Sequence, residues 1–135
     1  MYRQCIRSFG AYRRPMFYPR TSEENHLDSL QKLVPGLQID PNPFALFDYK
    51  KGNTFVELKT RNNTLKQYNT TLIGHNKVMI AYDNHKNIYY FAFAFTNGLY
   101  YIQFFPYVFD TFRIDTNLNH KLCYHIPIQT LSRLE

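Results

Sequence analysis

The sequence predicts one domain of the α/β or α+β class, in which helices flank a central mixed β-sheet. Three observations predict it: a segment with a helix-capping signal at Thr21, two strand-like runs joined at Gly52-Asn53, and two apolar runs around Asn97-Gly98. With a helix between the two hairpins, the predicted order is α-β-β-α-β-β, followed by a C-terminal β-hairpin. The 135 residues suffice for a single domain, residues 1–135, with one sizeable core.

Residues 1–20 are predicted to be a basic, aromatic N-terminal arm, because Pro15 and Pro19 disfavour a regular helix. Five arginines lie in this stretch. The arm either packs on the domain or lies on phosphate groups, and in the second case Arg13 and Arg14 are the candidate contact residues.

The first helix is predicted over residues 21–34. Thr21 is the expected N-cap, and Glu24, three residues later, completes a capping box. Pro35-Gly36 ends the helix. Its buried stripe is predicted from helical spacing to consist of Leu27, Leu30 and Val34.

Strands are predicted over residues 44–50 and 53–59, and a polar connection leads to a second helix over residues 73–82. Two further strands, residues 87–95 and 99–105, flank Asn97-Gly98, a strong hairpin signal. Because both are apolar on both faces, they are expected inside the sheet. The remaining chain is predicted to form a shorter hairpin from residues 112–116 and 121–127 and a closing helix over residues 128–135.

The first hairpin carries the residues with the clearest chemical potential. Glu57 and Lys59 lie two residues apart, so they share one face of their strand. A two-residue turn at Gly52-Asn53 would place Asp48 directly opposite Glu57, with Cβ atoms about 4.5–5.5 Å apart. A turn one residue earlier leaves the two carboxylates diagonal on the same face, whereas a loop of odd length or a bulge separates them.

Two adjacent carboxylates repel each other unless a cation lies between them. Mg²⁺ typically takes one or two carboxylates together with water and phosphate oxygens. Lys59 would offset the negative charge or hold a water against a phosphate, and these are the groups that phosphodiester hydrolysis requires. The alternative is a surface ion cluster on a hairpin with one solvated face.

Other side chains are candidates for the same site. Glu23 lies on the inward stripe of the first helix and would add a carboxylate, or else it is a solvated glutamate favoured by the helix dipole. Arg61 continues the face of Glu57 and reaches a phosphate, or is a surface arginine at the strand end. Lys77 lies between apolar residues of the second helix, so it either extends to solvent or reaches an anion. Gln67 and Tyr68 precede that helix and are candidate DNA contacts.

Asp48 followed by Glu57-x-Lys59, on a β-hairpin preceded by a glutamate-bearing helix, resembles the PD-(D/E)XK nuclease superfamily. This superfamily includes restriction endonucleases, Holliday-junction resolvases and phage endonucleases, and the resemblance covers residues 22–95. Phe47 replaces the proline that often precedes the aspartate in the family.

The resemblance implies a restriction-endonuclease-like core and a metal-dependent endonuclease that cleaves branched or duplex DNA. Asp48, Glu57 and the Leu58 carbonyl would bind Mg²⁺ or Mn²⁺, Lys59 would position the attacking water, and Glu23 would bind a second metal. Members that resolve junctions need a homodimer, because they cut two strands symmetrically.

Composition is compatible with this interpretation. The net charge of +6 favours a polyanionic partner, nucleic acid first. No secretion signal, membrane span or glycine-rich phosphate loop is recognisable, so an intracellular protein without a nucleotide cofactor is expected. Abundant Asn, Tyr and Phe without Trp is a hint of viral or phage origin. The alternatives are a non-catalytic nucleic-acid-binding module on the same fold and a structural protein-interaction domain.

Overall fold

A central six-stranded sheet organises the protein, whose computed structural model describes residues 21–135. Along the sheet the strands are β1 (Gln38–Ile39), β2 (Tyr49–Lys51), β3 (Thr54–Thr60), β5 (Ile88–Phe95), β6 (Gly98–Gln103) and β9 (Ser132–Arg133). Strands β3 and β5 are parallel and the other neighbours are antiparallel. The sheet is therefore mixed, as predicted, and the fold is α+β and restriction-endonuclease-like.

A second sheet of three strands lies beside the first, in the order β4 (Thr70–Gly74), β8 (Leu122–Pro127) and β7 (Arg113–Thr116). The helices are α1 (Ser22–Leu33), α2 (His75–Asp83) and the short α3 (Pro106–Phe109). Two single 3₁₀ turns occur at Leu65–Gln67 and Ile128–Thr130.

Two hydrophobic cores lie on opposite faces of the central sheet. The first, on the α1 face, contains Leu30 with Val56 and Leu58 of β3. The second contains Val78 of α2 and Phe91 of β5. Alternate residues of a strand point to opposite faces, so β3 and β5 contribute to both cores. The predicted sheet flanked by helices is confirmed, and β5 lies inside the sheet as expected.

Helix α1 begins with the predicted capping box. The Thr21 hydroxyl accepts a hydrogen bond from the Glu24 amide at 3.2 Å, and the Glu24 carboxylate accepts one from the Thr21 amide at 2.9 Å. The Thr21 and Glu24 amides, which have no hydrogen-bond acceptor within the helix, thereby each gain one.

Replacing Thr21 by alanine should lower the free energy of unfolding by about 0.5–2 kcal/mol, because the Glu24 amide loses its acceptor. Urea unfolding followed by circular dichroism measures this change. Asn25→Ala, at an exposed position of the same helix, is the control and should change stability by less than about 0.5 kcal/mol. Equal effects of the two substitutions would contradict the role of the cap.

Two element boundaries differ from prediction. Strand β2 begins at Tyr49 rather than at residue 44, because turns precede it. The Asp40 carboxylate accepts a hydrogen bond from the Asn42 amide, and the side-chain oxygen of Asn42 accepts one from the Phe44 amide. Helix α2 begins at His75 rather than at residue 73. Residues 70–74 instead alternate between buried and less buried positions and pair with β8, which is strand behaviour.

The C-terminal third differs more. The turn between β5 and β6 is Thr96-Asn97, and Gly98 is the first residue of β6. The predicted hairpin of β7 and β8 is confirmed, but it belongs to the second sheet. The predicted closing helix is wrong, because residues 132–133 form strand β9. The edge of β6 offers unpaired backbone groups to this segment. The Leu99 carbonyl accepts hydrogen bonds from the Leu134 and Glu135 amides.

The predicted N-terminal arm, residues 1–20, lies outside the described residues. Within residues 21–135, no helix has the length and hydrophobicity needed to cross a membrane.

Candidate active site

The hairpin of β2 and β3 has the two-residue turn on which the predicted geometry depends. Tyr49 pairs with Val56 and Lys51 with Thr54, so the turn residues are Gly52-Asn53. Gly52 has a φ of +58°, which glycine adopts without strain at the first central position of such a turn. Asp48 directly precedes Tyr49 and Glu57 directly follows Val56, so both acids lie at the end of the hairpin that is away from its turn.

Both carboxylates are buried. Asp48 is 0% exposed and Glu57 is 1% exposed. Ionised side chains are seldom buried unless they are paired or bind a cation. The hairpin therefore presents these acids to a closed site and not to a solvated face.

The Asp48 side chain is hydrogen-bonded to the backbone of β3. Its Oδ2 atom accepts a hydrogen bond from the Leu58 amide at 2.8 Å, at the point where the chain before β2 diverges from β3. The backbone groups of one strand residue point to the same side in an antiparallel pair, so the Leu58 carbonyl also points towards the β2 side. Asp48 and this carbonyl thus lie on the same edge of β3.

Two ammonium groups bracket Glu57. Lys59 Nζ lies 3.6 Å from Oε2 and Lys77 Nζ lies 3.8 Å from Oε1. Lys77 comes from α2, donates a hydrogen bond to the Leu46 carbonyl and lies over the Phe47 ring at 5.2 Å from its centroid. The two positive charges offset the cost of burying the Glu57 carboxylate.

The side chains present fit a hard divalent cation. Glu57 Oε1 is buried and accepts no hydrogen bond within residues 21–135. A second buried carboxylate, Asp48, is hydrogen-bonded to the amide of the next residue, Leu58. Among these residues no group of three or more His, Cys, Asp or Glu side chains is arranged to hold a metal ion. Mg²⁺ needs only one or two carboxylates, since water and phosphate oxygens complete its shell, so Asp48 and Glu57 would suffice.

Glu23 lies in the first turn of α1, which packs on the opposite face of the sheet from Glu57. Its backbone carbonyl accepts a hydrogen bond from the Tyr49 hydroxyl at 2.7 Å, which ties α1 to the residue that follows Asp48. Its side chain does not complete a group of three carboxylates in the described chain. Its predicted role at a second metal stays a prediction.

Arg61 lies just beyond β3 and connects it to β4. Its Nε donates to the Thr71 hydroxyl at 3.3 Å and its Nη2 donates to the Leu72 carbonyl. Burial lowers the pKa of the Arg61 guanidinium from its ordinary value, but arginine remains charged. Two of its five N–H donors are thus used within the protein.

Two further predicted DNA contacts, Gln67 and Tyr68, lie at the 3₁₀ turn before β4. Gln67 ends the first 3₁₀ turn and is exposed, and Tyr68 follows it with 59% of its surface exposed. Arg13 and Arg14 lie outside the described residues.

A cleft of about 970 Å³ adjoins Lys59 and extends along the second sheet. We call it the basic cleft, and its basic lining residues are Lys59, Arg61, His75, Arg113, Lys121 and His125. None of the described residues that line it is Asp or Glu. Arg113, Lys121 and His125 could not be predicted as lining residues, because they belong to no sequence motif and reach the cleft only through the pairing of β8 with β4.

A family model described as "Phage putative PDDEXK endonuclease" matches residues 22–118, which is most of the chain. The matched range contains Glu23, Asp48, Glu57 and Lys59. No curated protein and no solved structure matches the chain significantly.

Proposed function

Because the chain belongs to the family of phage putative PDDEXK endonucleases, we propose that it is a metal-dependent endonuclease that hydrolyses phosphodiester bonds of DNA. The observation that carries the proposal is the buried pair of Asp48 and Glu57, with the Lys59 ammonium 3.6 Å from Glu57. A pair of buried carboxylates costs stability, and divalent-metal chemistry gives a reason for it.

The proposed roles are those that the resemblance to this family implies. Asp48, Glu57 and the Leu58 carbonyl would hold Mg²⁺ or Mn²⁺, with Glu23 at a second ion. A bound ion of this kind polarises the phosphoryl group and lowers the pKa of its water. Lys59, with 39% of its side chain exposed, positions the attacking water or stabilises negative charge that develops on the phosphate.

The substrate in this proposal is branched or duplex DNA. The net charge of +6 and the basic cleft favour a polyanion. Arg61, Lys77 and Gln67, together with Arg13 and Arg14, are proposed phosphate or base contacts. We further propose that the chain acts as one nuclease domain inside a phage-infected cell, and as a homodimer if it resolves junctions.

Incubation of the purified protein with supercoiled plasmid and with a four-way junction tests the activity. We expect cleavage in Mg²⁺ or Mn²⁺ and none in EDTA, because the carboxylates alone cannot activate water. A double variant, Asp48→Ala with Lys59→Ala, controls for a contaminating nuclease. Cleavage that persists in EDTA or in the double variant would refute the proposal.

A non-catalytic nucleic-acid-binding module on the same fold is the second candidate. It is favoured by the basic cleft, whose cationic side chains can hold a phosphate backbone without a metal ion. Calorimetric titration with Mn²⁺ separates the two: an endonuclease should show binding heat that Asp48→Ala abolishes. Salt-sensitive DNA affinity without any such heat would favour the binding module.

A further inference from the structure

The basic cleft has properties that the carboxylate site does not explain. It adjoins that site through Lys59, but its outer wall is formed by the hairpin of β7 and β8. We propose that it binds an unpaired DNA strand and leads it to the carboxylates. This inference rests on the proposed function and specifies the form of its substrate.

The charge of the cleft is the first argument. Lys59, Arg61, Arg113 and Lys121 contribute four cationic side chains from three separate parts of the chain, and no described lining residue is acidic. Cations gathered in a concave surface attract a phosphate backbone, because every bound phosphate releases counterions.

Arg113 is held in place at the cleft wall. Its Nη1 lies 3.2 Å from Asp115 Oδ2, and its Nη2 lies 3.0 Å from His125 Nδ1. The side chain nevertheless remains 63% exposed. An exposed ion pair of this kind contributes little to stability. The contacts with Asp115 and His125 instead orient the Arg113 guanidinium, which stays accessible to phosphate.

An exposed aromatic ring accompanies these cations. Tyr68 lines the cleft and is 59% exposed, whereas most aromatic side chains of residues 21–135 fill the two cores. Phe44, Phe105 and Tyr107 are also exposed, but they lie outside the cleft. A positively charged groove with an accessible aromatic ring is the usual arrangement for binding single strands, because bases without a pairing partner stack on the ring.

The size of the cleft suits a few nucleotides of a single strand. A volume of about 970 Å³ is at the upper end of the range for pockets that enclose small organic ligands. A space of this size accommodates a few nucleotides of one strand. An unpaired arm of branched DNA fits both this cleft and the proposed substrate.

Fluorescence anisotropy with a 5′-labelled dT₁₂ strand and a blunt 12-base-pair duplex tests this inference. The measurement uses EDTA and the Asp48→Asn protein, so it requires neither metal nor cleavage. We expect the strand to bind at least about tenfold more tightly than the duplex. Equal or tighter binding of the duplex would overturn the inference, whatever the result of the cleavage assay.

Single substitutions locate the binding surface. Lys121→Ala should weaken dT₁₂ binding and reduce the slope of log affinity against log salt by about 0.7, and Tyr68→Ala should weaken binding about tenfold. Lys86→Ala is the matched control, because Lys86 is exposed and lies outside the cleft. If Lys121→Ala and Tyr68→Ala behave like Lys86→Ala, the strand does not bind in the cleft.

Discussion

Replacing Glu57 by glutamine is expected to reduce the rate of metal-dependent cleavage by at least about 10³-fold. The side chain keeps its size but loses the charge that would hold the cation. It also removes the negative charge that lies 3.6 Å from the Lys59 ammonium and 3.8 Å from the Lys77 ammonium. Single-turnover cleavage of a labelled junction in Mn²⁺ measures the rate, and calorimetry measures the metal affinity.

Glu135→Gln is the control for this substitution. Glu135 is an exposed carboxylate that accepts hydrogen bonds from Lys32 and Ser29, far along the chain from the hairpin, and its replacement should leave cleavage unchanged. Urea unfolding of both variants establishes whether they are folded. A folded Glu57→Gln protein with wild-type cleavage would exclude Glu57 from the reaction.

Replacing Phe109 by alanine is expected to lower the free energy of unfolding by about 3–5 kcal/mol. Phe109 is 0% exposed, and its ring lies within 5.0–5.9 Å of four other aromatic rings, measured between centroids. These rings include Phe91 of the central sheet and Tyr124 of the second sheet. The cavity left by the substitution would therefore loosen the contact between the two sheets.

Total stabilities of about 5–15 kcal/mol are normal for a domain, so this loss would leave a marginally folded protein. Phe44→Ala is the matched control, because Phe44 is 81% exposed and its loss should cost less than about 0.5 kcal/mol. Urea unfolding followed by fluorescence of the tyrosines measures both. A Phe109→Ala protein as stable as Phe44→Ala would mean that Phe109 does not join the sheets.

Several features of the candidate site could be predicted from the sequence because they depend on neighbours along the chain. A strand alternates its side chains with a period of two, so Glu57 and Lys59 had to share a face. The Gly52-Asn53 turn determines the register of its hairpin, in which Tyr49 pairs with Val56. The capping box at Thr21 and Glu24 is likewise local, since its groups lie within one helical turn.

Features that depend on distant parts of the chain could not be predicted in this way. The interpretation of residues 73–74 as helix was wrong because β8, some fifty residues later, supplies the strand partner of β4. The C-terminal segment became strand β9 because the edge of β6 was available to it. Local propensity is a weak preference, and pairing with a distant strand outweighs it.

The sequence by itself determined the hairpin, its register and the shared face of Glu57 and Lys59, because backbone geometry over a few residues is sufficient for each. Only the tertiary structure decided that both acids are buried, that Lys77 reaches Glu57 from α2, and that Arg113 and Lys121 line a cleft beside Lys59. Burial and long-range contacts are properties of the packed chain, since they depend on which distant segments the hydrophobic cores bring together.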